Sequence, residues 1–486
     1  MKLKAISLLK EGDQSQRAPL VFGGFLAALA VTMISLAALL LSFNALPSSV
    51  PLLFTTGSAL TGKVFLFAVP ALSLFFVLGN AFVSLAFIKK GEKAASLFPA
   101  FLALFVSLIL AVSLIRIIWI FPIPPLPFEN EIYPLLLPLG TSAILSLILS
   151  TVIAKLAQRF KIFDKPHGPY PQVRPIPRFG ALPIFLTFST VTLLFAPVEK
   201  HLVALLAGAA IITIIQTIDD IRPLPPAVQG AGHILAALVI VAGGVGIDFI
   251  RNPLAGWIGE TYIRLDTWEI PISLFGVIYH FTVLADLFTL VWIFTLVNVV
   301  DWIDGLDGLA AGIGTVAGVA IVAVSIMFNT PITALLGIIL AGALLGFLPS
   351  NFYPARIYLG GGAFLLGYLL AVLSIFSGAK TGTAMLVLAI PIIDAFHVIY
   401  RRLRKGRSPF AGDKTHLHHR LMEVGLKHPQ IVLLEWGIVA AIAVPAVVLK
   451  GFSKFAAVAL VFVGALLVNK VLLTRLGSKA QKRAEL

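Results

Sequence analysis

The chain has 486 residues, is 59% hydrophobic with a mean hydropathy of +1.01, and carries only 12% charged residues. That composition excludes an ordinary soluble domain and fits a polytopic membrane protein. Cysteine is absent, which excludes disulfides and thiolate-bound metals, and the formal charge of +14 is scattered between apolar runs, as in loops at a membrane surface and not in a nucleic-acid binder.

In chain order, mostly apolar stretches of 18 or more residues predict spans at 20–43, 62–88, 95–121, 133–156, 180–197, 200–218, 230–248, 275–298, 309–328, 331–349, 359–378, 381–399, 430–449 and 454–474. The expected fold class is an all-α polytopic integral membrane protein of about 14 transmembrane helices, with its chemistry on cytoplasmic loops. The first apolar run is too long for a cleavable signal, and no small-residue cleavage site follows it. The proline-rich acidic segment FPIPPLPFENE (121–131) is the predicted joint. It divides a three-helix extension, 1–128, from a functional domain, 129–475, and a basic tail, 476–486.

With the N-terminus placed in the cytoplasm, the segments 157–179, 219–229, 299–308, 350–358 and 400–429 all fall on that side. So do the Lys/Arg-rich loops, as the positive-inside rule asks. Nearly every clustered carboxylate and histidine lies in those same segments, which points to one cytoplasmic site.

At the centre stands NVVDWIDGLDGLA (298–310), where Asp301, Asp304 and Asp307 recur every third residue after a long apolar run. A charge at bilayer depth costs about 2.5–3.5 kcal/mol on insertion scales, so such residues mark function. If the preceding helix runs on through them, the spacing puts the three on roughly one face. In TIDDIRPLPP (217–226), Asp219 and Asp220 close a helix before a proline turn and could hold a divalent cation or take a proton. Arg174 and Arg178 end a proline-rich loop and could hold phosphate or anchor it at the headgroups. PSNFYPARIYLGGG (349–362) offers Asn351, Arg356 and three glycines that let a backbone approach an anion. RRLRKGRSPFAGDKTHLHHRLMEVGLKH (401–428) carries eight Lys or Arg against two acids. Within it His416, His419 and Arg420 would share a face of a short helix, which suits a diphosphate better than zinc, given only Asp413 and Glu423 nearby.

Together these pieces resemble the polyprenyl-phosphate N-acetylhexosamine-1-phosphate transferases, membrane enzymes of the superfamily that includes the phospho-N-acetylmuramoyl-pentapeptide transferases. The resemblance covers about 132–475 and rests on IDGLDGLAAG (303–312), the Asp219–Asp220 pair with Leu224, PSNFYPARIYLG (349–360) and PIIDAF…SPFAGDKTHLHHRL (391–421). The HLHH form is similar to the branch that transfers N-acetylglucosamine-1-phosphate. The resemblance implies a UDP-N-acetylhexosamine donor, a polyprenyl (undecaprenyl) phosphate acceptor and Mg²⁺ or Mn²⁺. It also implies UMP as product, a homodimer, a multi-pass protein of the plasma membrane with its site facing the cytoplasm, and a role in starting cell-wall or surface polysaccharide. Asp219 or Asp220 would deprotonate or orient the lipid phosphate, and Asp304 and Asp307 would hold metal or position the diphosphate. Asn298, Asn351, Arg178, His416, His418, His419 and Arg420 would bind substrate, with Asp301, Asp304 and Asp220 as metal ligands.

The chain departs from that family's pattern in four places. Pro169, Tyr170 and Gln172 stand where the first loop has an Arg-Lys pair and a His; Asp301 replaces an Asn, and Gln229 a basic residue. Gly360-Gly361-Gly362-Ala363 replaces Gly-Asp-x-Gly-Ser, whose aspartate ligates magnesium. Asp301 is expected to supply the lost carboxylate, and Gly361→Asp to restore it in part. The rival readings are a relative that binds these substrates without turnover and a secondary transporter; the latter would place its carboxylates near the midplane.

The topology is directly testable in this cysteine-free chain. Cysteines placed at Ser408 and Gly168 are expected to react with an impermeant maleimide only from the cytoplasm, and one at Asn130 only from outside. Labelling at Ser408 from outside would break the single-site reading.

Overall fold

A computed structural model describes residues 133–159, 175–252, 262–274, 277–377, 387–404 and 416–449, with isolated positions at 163, 259, 406 and between 452 and 464. The three amino-terminal spans, most of the last one, the boundary near 128, the basic tail, Arg174 and Asp413 lie outside the described residues.

The chain runs through α1 (Tyr133–Arg159), α2 (Ala181–Phe195), α3 (Lys200–Ile221) and α4 (Pro226–Ala242). Four short strands follow: β1 (Phe249–Arg251), β2 (Tyr262–Arg264), β3 (Glu269–Leu274) and β4 (Val277–Thr282). Then come α5 (Val283–Ile303), α6 (Leu309–Met327), α7 (Pro331–Asn351), α8 (Gly362–Phe376), α9 (Ala389–Arg404), α10 (Leu417–Val424) and α11 (His428–Val448). Among the described residues six helices, α1, α3, α5, α6, α7 and α11, are long and apolar enough to cross a membrane, and α2, α4 and α8 are shorter apolar helices. The protein is a multi-pass helical membrane protein.

Two local expectations are corrected. The chain is not helical throughout: β1 pairs antiparallel with β2, and β3 with β4 from Glu269↔Thr282 to Leu274↔Val277. The span expected at 275–298 instead begins as strand β4, and its helix is shifted to Val283–Ile303. VIYHFT is rich in β-branched and aromatic residues, and a short apolar run does not by its pattern distinguish strand from helix. The shift has a consequence for the site. Asn298 and Asp301 lie within α5, about 22 and 27 Å of helix away from the hairpins.

Packing follows from small residues on apolar helices. α7 lies against α1 and α6, α8 against α5 and α3, α4 against α3, and α11 against α6. At the α7–α1 crossing, a Cβ on Gly346 would stand 2.0 Å from the Ala143 carbonyl oxygen, and one on Gly342 2.0 Å from Ser142 Oγ. Between helices in lipid the attraction is close packing, and small residues permit it. Two of the hydroxyls inside the bundle are satisfied locally: Thr213 donates to Ala209 O and Thr289 to Ala285 O, four residues back. Gly346→Leu should therefore force α1 and α7 apart and cost about 1–3 kcal/mol. Thermal unfolding in detergent should register it as a lowered midpoint, while Gly437→Ala, in the interior of α11 where a Cβ meets nothing within 4 Å, should leave the midpoint the same or slightly raised.

Candidate active site

One end of the bundle gathers the ends of α3 and α5, the start of α6, the segment before α8, and α10. The gathering depends on a backbone contact: Tyr358 N–H donates to Pro177 O at 2.8 Å, joining the segment before α2 to the segment before α8. Gly360, at φ +53, completes it; a Cβ there would stand 2.3 Å from Arg178 O and 3.1 Å from Asp220 Oδ1. Arg178, half exposed, holds Nε 3.7 Å from the buried Asp220 carboxylate.

Asp219 and Asp220 are neighbours with different tasks. Asp219 Oδ1 accepts from Leu224 N–H (2.7 Å) and from Gln229 Nε2 (2.9 Å), and so closes the proline turn. Gln229, where a basic residue was expected, does this as a neutral donor.

The three aspartates after α5 do not lie on one helix face. The helix ends at Ile303, and Asp304 is its C-cap, with its N–H on Asp301 O. Asp301, on the last turn, lies within electrostatic range of Arg178, Asp219 and His416. The Asp304 carboxyl accepts from Gly360 N–H and lies near Asp301, Arg178 and Asp307. Its desolvation and then the Asp301 charge push it up to about 8, with Arg178 and the Gly360 N–H opposing. Asp307 turns the other way: Oδ2 accepts from Ala355 N–H at 3.1 Å, with His428 of α11 beside it. Desolvation raises it as well.

The histidine segment also differs from expectation. His416 is the N-cap of α10, not part of it, and its ring stacks on His418, 5.8 Å between centroids and 2° from parallel, instead of aligning with His419. His418 is buried against Gly305, where a Cβ would stand 2.1 Å from Nε2. Desolvation, then the charges of His419 and His416, hold it well below the usual histidine range, so it enters the site neutral. His419 packs at 4.2 Å on His418, and Arg420 is buried.

Asn298 and Asn351 serve the frame. Asn298 Nδ2 donates back to Phe294 O at 2.7 Å. Asn351 Oδ1 accepts from Gly308 N–H (3.1 Å) and its Nδ2 donates to Ile357 O (3.0 Å), tying the aspartate turn to the segment before α8. Sequence reasoning passed over Asp394, which receives His416 Nδ1 at 2.7 Å, and His428 beside Asp307. Asp394 is a lone carboxylate in the apolar start of α9, and that alone was a signal.

Among the described residues no three His, Asp or Glu converge as a ready metal cage. Mg²⁺ does not need one: it is commonly held by one or two carboxylates, with water and substrate phosphates completing the octahedron. Asp220, Asp301 and Asp304 are hard oxygen donors at one end of the bundle, and Asp304 is raised by desolvation and then by the Asp301 charge, so a dication fits this donor set. The expected restoration at Gly361 does not fit. A Cβ there would stand 2.3 Å from Gln216 Cβ, so an aspartate has no room.

The pattern of Glycosyl transferase family 4 matches residues 202–378. The decaprenyl-phosphate N-acetylglucosaminephosphotransferase of Mycobacterium leprae is 30% identical over 334 residues, 62% of this chain and 80% of that protein. The protein of the same name from Mycobacterium tuberculosis is 32% identical over 340 residues, 62% of this chain and 79% of its own length. The "Probable undecaprenyl-phosphate N-acetylglucosaminyl 1-phosphate transferase" of Bacillus subtilis is 30% identical over 325 residues, 65% of this chain and 85% of that protein.

Because the folded-state value of Asp304 is raised, the folded protein holds a proton that the unfolded chain has released, and this group's contribution to stability is lost as pH rises through about 8. In metal-free buffer, Asp304→Asn should flatten that decline. Thermal midpoints of both proteins across the range would show it; parallel curves would mean Asp304 ionises as an ordinary carboxylate.

Proposed function

The chain belongs to glycosyl transferase family 4 and is a phosphotransferase enzyme, and from that premise we propose that it transfers N-acetylglucosamine-1-phosphate from UDP-N-acetylglucosamine to a polyprenyl phosphate. An oxygen of the lipid phosphate bonds to the β-phosphorus, the bond from that phosphorus to the bridging oxygen breaks, and UMP leaves. The products are polyprenyl-diphospho-N-acetylglucosamine and UMP. The observation that carries the reading is the convergence of Asp220, Asp301, Asp304, Arg178 and the His416–His418 pair at one end of an apolar bundle. Both substrates are anions, one of them with a tail that needs lipid, and that end offers polar groups beside a hydrophobic surface.

Asp220, with Arg178 Nε 3.7 Å from its carboxylate, orients or deprotonates the lipid phosphate. Arg178 beside it screens that phosphate. Asp307 and Asn351 keep the aspartate turn and the segment before α8 in register, and His416, His419 and Arg420 meet the diphosphate of the nucleotide sugar. His418, neutral, contributes a hydrogen bond and not a charge. Asp301, Asp304 and Asp220 would hold Mg²⁺ or Mn²⁺, which when bound supplies neutralisation of the phosphate oxygens. The site faces the cytoplasm of a plasma-membrane protein with about 14 spans. In this reading residues 129–475 are the transferase domain, in a homodimer, and residues 1–128 an added membrane segment. The product starts a cell-wall or surface polysaccharide.

Purified protein given undecaprenyl phosphate, UDP-N-acetylglucosamine and Mg²⁺ is expected to release UMP, and to stop when the ion is chelated. Asp301→Asn, although it places asparagine where the family has one, should lower turnover at least about a hundredfold, the scale of losing an electrostatic contact to the transition state. Equal turnover would show that Asp301 does not compensate for the glycine run. Binding of the nucleotide sugar without UMP release at any Mg²⁺ concentration would leave a binder and refute the transferase reading.

A further inference from the structure

His416 is separated from α9 by a long stretch of chain, yet its ring is fixed there. Its Nδ1 lies 2.7 Å from Asp394 Oδ2, while the other carboxylate oxygen, Oδ1, accepts Leu417 N–H at 3.0 Å. Both side chains are close to fully buried, at 7% and 11% exposure. Glu435 of α11, also buried, lies within electrostatic range of Asp394. Carboxylate oxygens accept hydrogen bonds, and Oδ1 already accepts from Leu417, so the geometry points to Nδ1 as the protonated ring nitrogen, donating to Asp394 Oδ2. Nε2 is then the one ring nitrogen left to meet a ligand. The ring stacks on His418 and lies within electrostatic range of Asp301, so it is held at the site and not in a separate cluster.

We propose that Asp394 is a positioning residue for the reaction: it fixes the tautomer and orientation of His416, so that Nε2 is presented to the diphosphate of the nucleotide sugar. The proposal rests on the transferase reading for its consequence in turnover, but not for the tautomer itself. A carboxylate needed only to cap α10 could do so through Leu417 N–H with one oxygen. Here the second oxygen is spent on the histidine that caps the same helix, so the two tasks can be separated by substitution.

Asp394→Asn separates them. The asparagine oxygen still accepts Leu417 N–H, but its amide nitrogen is a donor and cannot receive a proton from Nδ1. The favoured His416 tautomer is then reversed, with Nδ1 accepting and Nε2 protonated. Two readouts decide the matter in the full chain, held in lipid nanodiscs. The first is the ¹⁵N spectrum of histidine-labelled protein, in which one of nine histidines is assigned to His416 by its loss in His416→Gln. The wild type should show Nδ1 protonated, Asp394→Asn should reverse this, and Asp394→Glu should keep the wild-type pattern. An unchanged tautomer in Asp394→Asn overturns the proposal. The second is a double-mutant cycle on UMP release. Asp394→Asn should lower kcat/KM about tenfold or more, the scale on which carboxylate partners of functional histidines act, and should have little further effect in a His416→Ala background. An equal loss in both backgrounds would show that Asp394 does not act through His416 and overturn the proposal. If the wild type releases no UMP, the transferase reading falls, while the tautomer measurement still decides the role of Asp394.

Discussion

The constraint on which the site depends is the mutual approach of two backbones, the segment ending at Gly180 and the segment ending at Gly360. The Tyr358–Pro177 hydrogen bond brings them together, and Gly360 leaves no side chain in the way. Arg178 is thereby set beside Asp220, and the Gly360 N–H is left to donate to Asp304. A side chain at 360 would have to displace main chain, which does not yield. The glycine run that replaces the family's metal-binding aspartate is therefore not a simple deletion of function. It is the seam along which the remaining carboxylates are assembled.

That seam bears on how the charge is managed. Asp219, Asp220, Asp301 and Asp304 lie near one another, with the Arg178 guanidinium and the His416 ring beside them. At the end of a bundle, partly withdrawn from water, like charges this close cannot all be ionised at no cost, and Asp304 shows the strain most plainly. On the proposed transferase reading, a bound dication and substrate phosphates would offset that cost, which would link binding energy to the chemistry.

The frame around the site is neutral where it can be. Gln229, Asn351 and the backbone N–H of Ala355 hold Asp219, the Gly308 turn and Asp307 by hydrogen bonds, and Gln229 does so where a cation was expected. A neutral donor fixes a carboxylate without adding charge to the site. The histidines divide in the same way, His418 packed and neutral against Gly305 and His416 held by Asp394.

The sequence alone determined the membrane class, because apolar runs of bilayer length have few other uses, and it determined the residue types of the site, because carboxylates and histidines beside such runs are too costly to be idle. Asp220, Asp301, Asp304 and His416 were legible on those grounds. Hairpins β1–β2 and β3–β4 were not, since a short apolar run reads equally as strand or helix until its partner is known. Nor were the tasks of individual side chains: whether Asn351 meets a ligand or braces two loops depends on which backbone groups lie beside it. Only the tertiary structure decided that Asp307 turns toward Ala355, that Gly361 has no room for an aspartate, and that Asp394 holds His416. Each of these depends on atoms far apart in the chain coming within a few ångströms, and a linear pattern carries no record of such distances.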